Sequence, residues 1–267
     1  MKKKIWSSYE NVAQFHFYEK LNDFFPSEKR EKNYSYQFRG NPSIKDPIEA
    51  IGVPHTEVDL IVVNGHSVSF EYRLQHGDQV AVYPEKVSTD IFPRVKLRDE
   101  PLKKHAFILD VHLGKLAKML RMLGFDVVYE NDYDDPEIIR RSLEEKRIIV
   151  TRDRRLLYVK VIVHGYCIRS MNSEEQLQEV LDRYDLYSQI RPFYRCMICN
   201  GKIRKIDKSL IIHRLEPKTK AYFNEFFLCE GCNRIYWKGS HHDRIQIRLE
   251  KVRRFHRDYK ERVTRFM

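Results

Sequence analysis

Four cysteines and a set of aspartates are the side chains of this 267-residue chain whose types and spacing best suit chemistry. Cys196-Met197-Ile198-Cys199 and Cys229-Glu230-Gly231-Cys232 are two C-x-x-C pairs with 29 residues between them. Each pair wraps one side of an ion, so the two together make a four-sulfur tetrahedral zinc site of the zinc-ribbon kind. Asn200-Gly201 and Gly231 supply the tight turns. The fifth cysteine, Cys167, lies in an apolar run and reads as buried and inert. The second set is anionic: Asp110, the run Asp132, Asp134 and Asp135, and Asp153. Crowded carboxylates repel one another and need a cation, and hard oxygen donors suit Mg²⁺ or Mn²⁺.

The elements around the aspartates would position them together. Phe107-Ile108-Leu109 is a short apolar run that ends in Asp110. Leu113, Leu116, Ala117, Leu120 and Leu123 then recur at helical steps, and Gly124 stands where the helix should stop. A second run, Asp126 to Tyr129, opens into the acidic loop. Pro136 starts another helix, and Ile148 to Thr151 forms a third run ending on Arg152-Asp153. Strand, helix, strand, helix, strand is the grammar of a parallel sheet. Its carboxyl edge is where loops converge into sites, and each acidic group follows a strand there. Arg152 has the planar fork of a phosphate clamp, Arg154 and Arg155 extend a basic edge, and Thr151 can support a ligand carboxylate. Val159 to Val163 and Tyr166 to Ile168 read as further strands, and Ser173 caps a helix running to about Tyr184.

Asp110 with LGKLAKMLRMLGFDVV, the DDPEII loop and the IIVTRDRRLL segment resemble the C-terminal RNase domain of the Mut-seven family, which belongs to the PIN-like metal-dependent nucleases. The string CNRIYWKGSH resembles the family's ending and extends the likeness to about residue 244. The resemblance implies a PIN-like α/β fold and RNA cleavage. It places Asp110, Asp135 and Asp153 at the acidic positions, with Asp132 or Asp134 assisting, and it raises Lys115 and Arg121 as phosphate contacts. Tyr236 and Trp237 are candidates to stack RNA bases, with Lys238 and His241 on phosphates. Ser240 and Asp243 would cap a last helix with Val252, Phe255, Tyr259, Val263 and Phe266 on its apolar seam.

The first hundred residues read ββαββ. Val12 to Tyr18 and Tyr34 to Phe38 are strands, Ser43 to Asp46 resembles a capping box, and Gly52 ends the helix. Leu60 to Val63, Asn64-Gly65 and Ser67 to Tyr72 form a hairpin, and Gln79 to Tyr83 a last strand. The order suggests a β-grasp. RGNPSIKDPIEAIGVPHTEVDLIVVNGHSV with HGDQVAVYP resembles the ubiquitin-like domain found ahead of this RNase domain in fused proteins. Sulfur carriers of that fold act through a free Gly-Gly end, and here Pro84-Glu85-Lys86 continues instead, which argues against carrier chemistry. Docking of a protein partner is the default role.

Domain boundaries are therefore expected at 1–90 for the ubiquitin-like β-grasp, 91–104 for a Pro- and charge-rich linker, 105–190 for the nuclease and 191–267 for a zinc ribbon with a basic helix. Of the net charge of +11, residues 191–267 carry 20 Lys and Arg against 8 Asp and Glu, while residues 105–190 carry 13 against 15. A basic module beside an acidic one suits holding a polyanion and cutting it. The expected partners are RNA, with ribosome or tRNA as candidate contexts, and no membrane, since no apolar run approaches the ~20 residues of a span. The expected location is cytoplasmic. A non-catalytic RNA-binding or ribosome-associated adaptor is the rival reading.

Overall fold

The computed structural model describes residues 11–84, 93–98, 105–237, 247–252 and 254–257. By packing, the chain divides into two units: Met1–Lys103 with Thr151–Cys167, and Lys104–Val150 with Ile168–Met267. This partition cuts across the boundaries expected from the sequence. Cys196, Cys199, Cys229 and Cys232 share a unit with the strands that precede Asp110 and the acidic loop, and residues 151–167 of the expected 105–190 domain go with the N-terminal fold.

The first unit is built on β1 (Asn11–Phe17), β2 (Asn33–Phe38), α1 (Lys45–Ile51), β3 (Val58–Val63), β4 (His66–Val68) and β5 (Gln79–Pro84). The sheet order is β2-β1-β5-β3-β4, with β1 and β5 parallel and the other neighbours antiparallel. Alternation along β1 sends Phe15 and Phe17 inward to meet Ile44, Ile48, Val58, Ile61, Leu74 and Val82, all fully buried. Such a face drives the β-grasp by apolar burial. Asn64 and Gly65 both take positive φ (50° and 86°), as a type I′ hairpin turn demands. Two expectations need correction. The return strand is only three residues long and stops at Val68 rather than Tyr72. Ser43 does not cap α1: its hydroxyl donates to the Phe70 carbonyl at 2.7 Å.

The second unit contains β6 (Ala106–Leu109), α2 (Gly114–Met122), β7 (Asp126–Val128), α3 (Asp135–Glu145) and β8 (Ile148–Thr151). Strands β7, β6 and β8 lie side by side in that order, all parallel, with Phe107 opposite both Val127 and Ile148. Phe107 to Leu109 and Ile148 to Val150 are fully buried, as expected of a parallel sheet covered by helices. The chain then forms α4 (Arg154–Leu157) and β9 (Gly165–Cys167), which pack in the first unit, and returns as α5 (Ser173–Tyr184). The expected strand over Val159 to Val163 is absent, and the cap of α5 is Asn172, whose side chain accepts from the Glu174 and Glu175 amides.

Helix α5 packs on α2 through Leu177, Val180 and Leu181. Next come β10 (Ile203–Ile206), α6 (Lys208–Ile211), α7 (Pro217–Tyr222), β11 (Phe226–Cys229) and β12 (Ile235–Trp237), with the strands antiparallel in the order β10-β11-β12. The helical insertion between β10 and β11 had no sequence expectation. Residues 247–252 and 254–257 are helical and bury Leu249 and Val252. Lys251 reaches the Glu174 carboxylate at 3.1 Å, and the His256 ring stacks on Tyr187 at 4.5 Å. Ser240 and Asp243, the expected cap of this helix, lie outside the described residues. No helix among the described residues is long and apolar enough to cross a membrane.

Candidate functional site

The cysteines come together. The sulfurs of Cys196, Cys199, Cys229 and Cys232 all lie within 4.8 Å of one another, the one such group of three or more metal-ligating side chains among the described residues. Cys196 Sγ is 3.7 Å from Cys232 Sγ, and Cys199 Sγ is 3.4 Å from Cys229 Sγ. Tetrahedral ligation with metal–sulfur bonds of about 2.3 Å requires sulfur pairs about 3.8 Å apart, so the cluster fits a zinc-sized ion. The two knuckles repeat one another. Cys196 O accepts from Asn200 N and Cys229 O from Asn233 N, both at 3.0 Å. Asn200 and Asn233 both take left-handed φ (65° and 54°). Gly201 is needed for space, because a Cβ there would fall 2.9 Å from Cys229 Sγ.

Burial works against ionising Cys196, yet bonds from the Cys199 amide, the Tyr236 hydroxyl and the Ile198 amide bring its thiol down to about 6. Burial pushes Cys199 up to about 12. The pocket therefore already favours a thiolate on one ligand before any ion neutralises the rest. The Tyr236 hydroxyl lies 2.9 Å from Cys196 Sγ, so this aromatic supports the sulfur cluster through its polar end.

The first knuckle is tied to β7. Arg121 is 4% exposed and its Nε donates to Val127 O at 2.9 Å. Its Nη atoms reach Ile198 O at 2.6 Å and Tyr129 O at 3.3 Å. It was expected on phosphate; the structure instead commits its guanidinium to backbone carbonyls of β7 and the knuckle, because a buried cation must be bonded on every side. Asp126 completes the joint. It takes hydrogen bonds from Asn200 (2.8 Å), Arg147 (2.9 Å) and Arg195 (2.7 Å), while Asn200 Oδ1 accepts from the Val127 amide. Burial alone would raise the Asp126 carboxyl; the Asn200 and Arg147 bonds and the two arginine charges outweigh it and hold it below its ordinary value.

The aspartates are placed as follows. Asp110 directly follows β6, is buried (8% exposed), and its amide donates to Val150 O at 3.0 Å. Tyr129 closes over the next turn: its hydroxyl donates to Val111 O at 2.9 Å, and a Cβ on Gly114 would strike that hydroxyl at 2.6 Å. Asp132 and Asp134 are exposed in the loop between β7 and α3, and Asp135 is exposed at the start of α3. Asp134 caps α3 by accepting from Glu137 N, and Asp135 is the first residue of the helix. Asp153 is exposed and caps α4 by accepting from Arg155 N at 2.8 Å. Thr151 Oγ1 accepts from the Asp153 amide at 2.8 Å and so shapes the backbone there. No three carboxylates among the described residues come within 4.8 Å of one another.

Of the expected phosphate contacts, Lys115 and Arg152 are exposed. Arg154 is committed elsewhere: its Nη1 donates to Phe24 O at 3.0 Å and its guanidinium lies 5.0 Å over the Phe24 ring. Trp237 is half-buried with Phe223 6.5 Å away. Lys238 and His241 fall outside the described residues.

A parallel α/β sheet with acidic residues after its strands, a four-cysteine module built onto its edge strand, and a β-grasp fold ahead of both define the class of protein. Residues 105–249 match the Mut7-C RNAse domain, and residues 10–90 match the Mut7-C ubiquitin domain. The chain belongs to the Mut7-C RNAse family and carries that family's ubiquitin-like domain at its N-terminal side. No curated protein and no solved structure gives a significant match.

Proposed function

We propose that this chain is a metal-dependent ribonuclease that hydrolyses RNA phosphodiester bonds by a PIN-like mechanism, with its zinc ribbon and basic C-terminal quarter holding the RNA. One observation carries the reading: in a chain of the Mut7-C RNAse family, Asp110 is a buried carboxylate at the carboxyl end of β6, flanked by parallel strands on both sides. A carboxylate is costly to bury unless ions or hydrogen bonds compensate, and that sheet edge is where α/β proteins build sites.

In this reading Asp110, Asp135 and Asp153 hold Mg²⁺ or Mn²⁺, with Asp132 or Asp134 assisting. Their oxygen donors fit a hard divalent ion. When bound, the ion lowers the pKa of a water and offsets charge on the phosphate. Arg152, exposed beside Asp153, grips a phosphate oxygen pair with its fork, and exposed Lys115 supplies a point charge from the first turn of α2. The four cysteines hold a structural zinc, which needs reduced thiols and so suits a cytoplasmic setting.

The rival reading is a non-catalytic RNA-binding adaptor, supported by the 20 Lys and Arg against 8 Asp and Glu in residues 191–267. Incubating the purified chain with RNA and Mn²⁺ separates the two. The nuclease reading expects shortened RNA with the parent and intact RNA with Asp110→Asn. Intact RNA with both proteins, alongside retained RNA binding, would leave the adaptor.

A further inference from the structure

The stretch that carries Arg152 and Asp153 away from β8 packs in the unit formed by the ubiquitin-like fold, and that fold grips it along its whole length. At the start Arg154 is held on the carbonyl and ring of Phe24. One turn on, the Tyr158 hydroxyl donates to Gly52 O at 2.9 Å. His55, 5% exposed, sets Nε2 against Ile162 O at 2.7 Å while Glu49 fixes its Nδ1 at 2.5 Å. A carbonyl oxygen only accepts, so Nε2 donates to it, and the two contacts hold the ring in one orientation. Arg98 donates from Nε to Val163 O at 3.1 Å and from its Nη atoms to Thr56 O, Val58 O and the Asp59 carboxylate. At the far end the carboxylate of Glu57, 2% exposed, accepts from the Cys167 amide at 2.6 Å. Gly165 is needed for this fit, since a Cβ would lie 2.5 Å from Leu157 Cδ2 and 3.4 Å from Thr56 Oγ1.

We propose that the ubiquitin-like domain, together with Arg98 of the segment that follows it, works in cis as a clamp that sets the backbone carrying Arg152 and Asp153, so that His55, Glu57 and Arg98 are positioning residues for the metal site. The proposal rests on the ribonuclease reading. Its physical ground is entropy: a connection of this length left to itself samples many backbone states, which are given up when it is ordered. Asp153 is exposed and its carboxylate is anchored locally, by the α4 cap, so its place depends on the backbone under it. Two buried polar groups of the N-terminal domain, His55 and Glu57, bond that backbone at Ile162 and Cys167, and half-buried Arg98 of the following segment bonds it at Val163. Partners bonded directly to a ligand tune metal affinity by about 10- to 100-fold; these bonds fall nine or more residues beyond Asp153, so their effect belongs at the low end of that range.

The test uses the full-length chain as the parent, His55→Ala, Glu57→Ala, Glu57→Gln and the mild variant Tyr158→Phe. It reads backbone hydrogen exchange over 151–167, Mn²⁺ affinity by calorimetry, and RNA cleavage against Mn²⁺ concentration. His55→Ala and Glu57→Ala should speed exchange in 151–167 while β6 and β7 stay protected, and should weaken Mn²⁺ binding about tenfold. Glu57→Gln keeps an oxygen acceptor for the Cys167 amide and should restore both. If an alanine variant fails to fold, Tyr158→Phe should show the same changes in smaller degree. Unchanged exchange, or faster exchange with unchanged Mn²⁺ affinity, would overturn the clamp. A parent that binds Mn²⁺ but leaves RNA intact would remove the ribonuclease reading alone, because exchange and Mn²⁺ affinity still report on the clamp.

Discussion

Truncating Arg121 would leave the carbonyls of Val127, Tyr129 and Ile198 without their donor. Arg121→Met should cost about 2–4 kcal/mol in urea unfolding of the zinc-loaded protein. A variant of parental stability with lower RNA affinity would return Arg121 to the phosphate role. Asp126 gives a pH signature. Its folded pKa lies below the ordinary 3.8, so its contribution is fully present above that value and is lost as pH falls through the lower folded value. Asp126→Asn should therefore be less stable than the parent at neutral pH, and the gap should close below about pH 4. A gap that widens on acidification would contradict this. The four cysteines were legible from spacing alone, because a metal restricts ligand order tightly. The partners of Arg121, Arg154 and Tyr236 were not legible, because a charge or ring on a sequence stripe says nothing about the carbonyls or sulfur that fold against it. Asp126 was read only as a strand start and Asn200 only as a turn residue, since a single Asp at a strand start carries no motif; the Asn-Gly after a C-x-x-C was the available hint to their joint.

Elements that follow periodicity were readable: β1, β2, α1, β6, α2, α3, β8 and α5 all lie where apolar spacing puts them. Elements set by tertiary bonding were not. The 3-residue β4, the short α4 and the helices of the ribbon insertion have too little length to show a period. Gly124, expected as a helix stop, has a further duty: at φ 95° a Cβ would fall 2.2 Å from Arg191 O, where the chain returns from α5 toward the ribbon. Gly124→Ala should destabilise by more than the ~1 kcal/mol of an ordinary left-handed cap, because backbone must shift. A thermal melt matching the parent's would show that the return segment does not pack on the end of α2.

At the scale of the molecule, the proposed division of labour between acidic residues 105–190 and basic residues 191–267 predicts a salt signature. RNA affinity should fall steeply with salt, and replacing Lys202, Lys208, Lys218 and Lys220 by alanine should flatten the log–log slope by about 0.7 for each phosphate that is no longer neutralised. An unchanged slope would move the RNA surface elsewhere. Stripping the metal with a strong chelator should unfold the ribbon, whose three strands have little core of their own, and release one zinc per chain. The division into β-grasp, α/β sheet and ribbon could be read from the sequence. The packing of 151–167 with the N-terminal fold could not, because its bonds run from buried side chains to distant backbone atoms.

The measurement that bears most directly on the central claim is the single-turnover cleavage rate of an end-labelled RNA at saturating Mn²⁺, for the parent and for folded Asp110→Asn, Asp135→Asn and Asp153→Asn. Metal-dependent hydrolysis at the carboxyl edge of the parallel sheet predicts products with a 5′-phosphate and a rate at least about a hundredfold lower in each variant. Rates equal to the parent's in all three would contradict it.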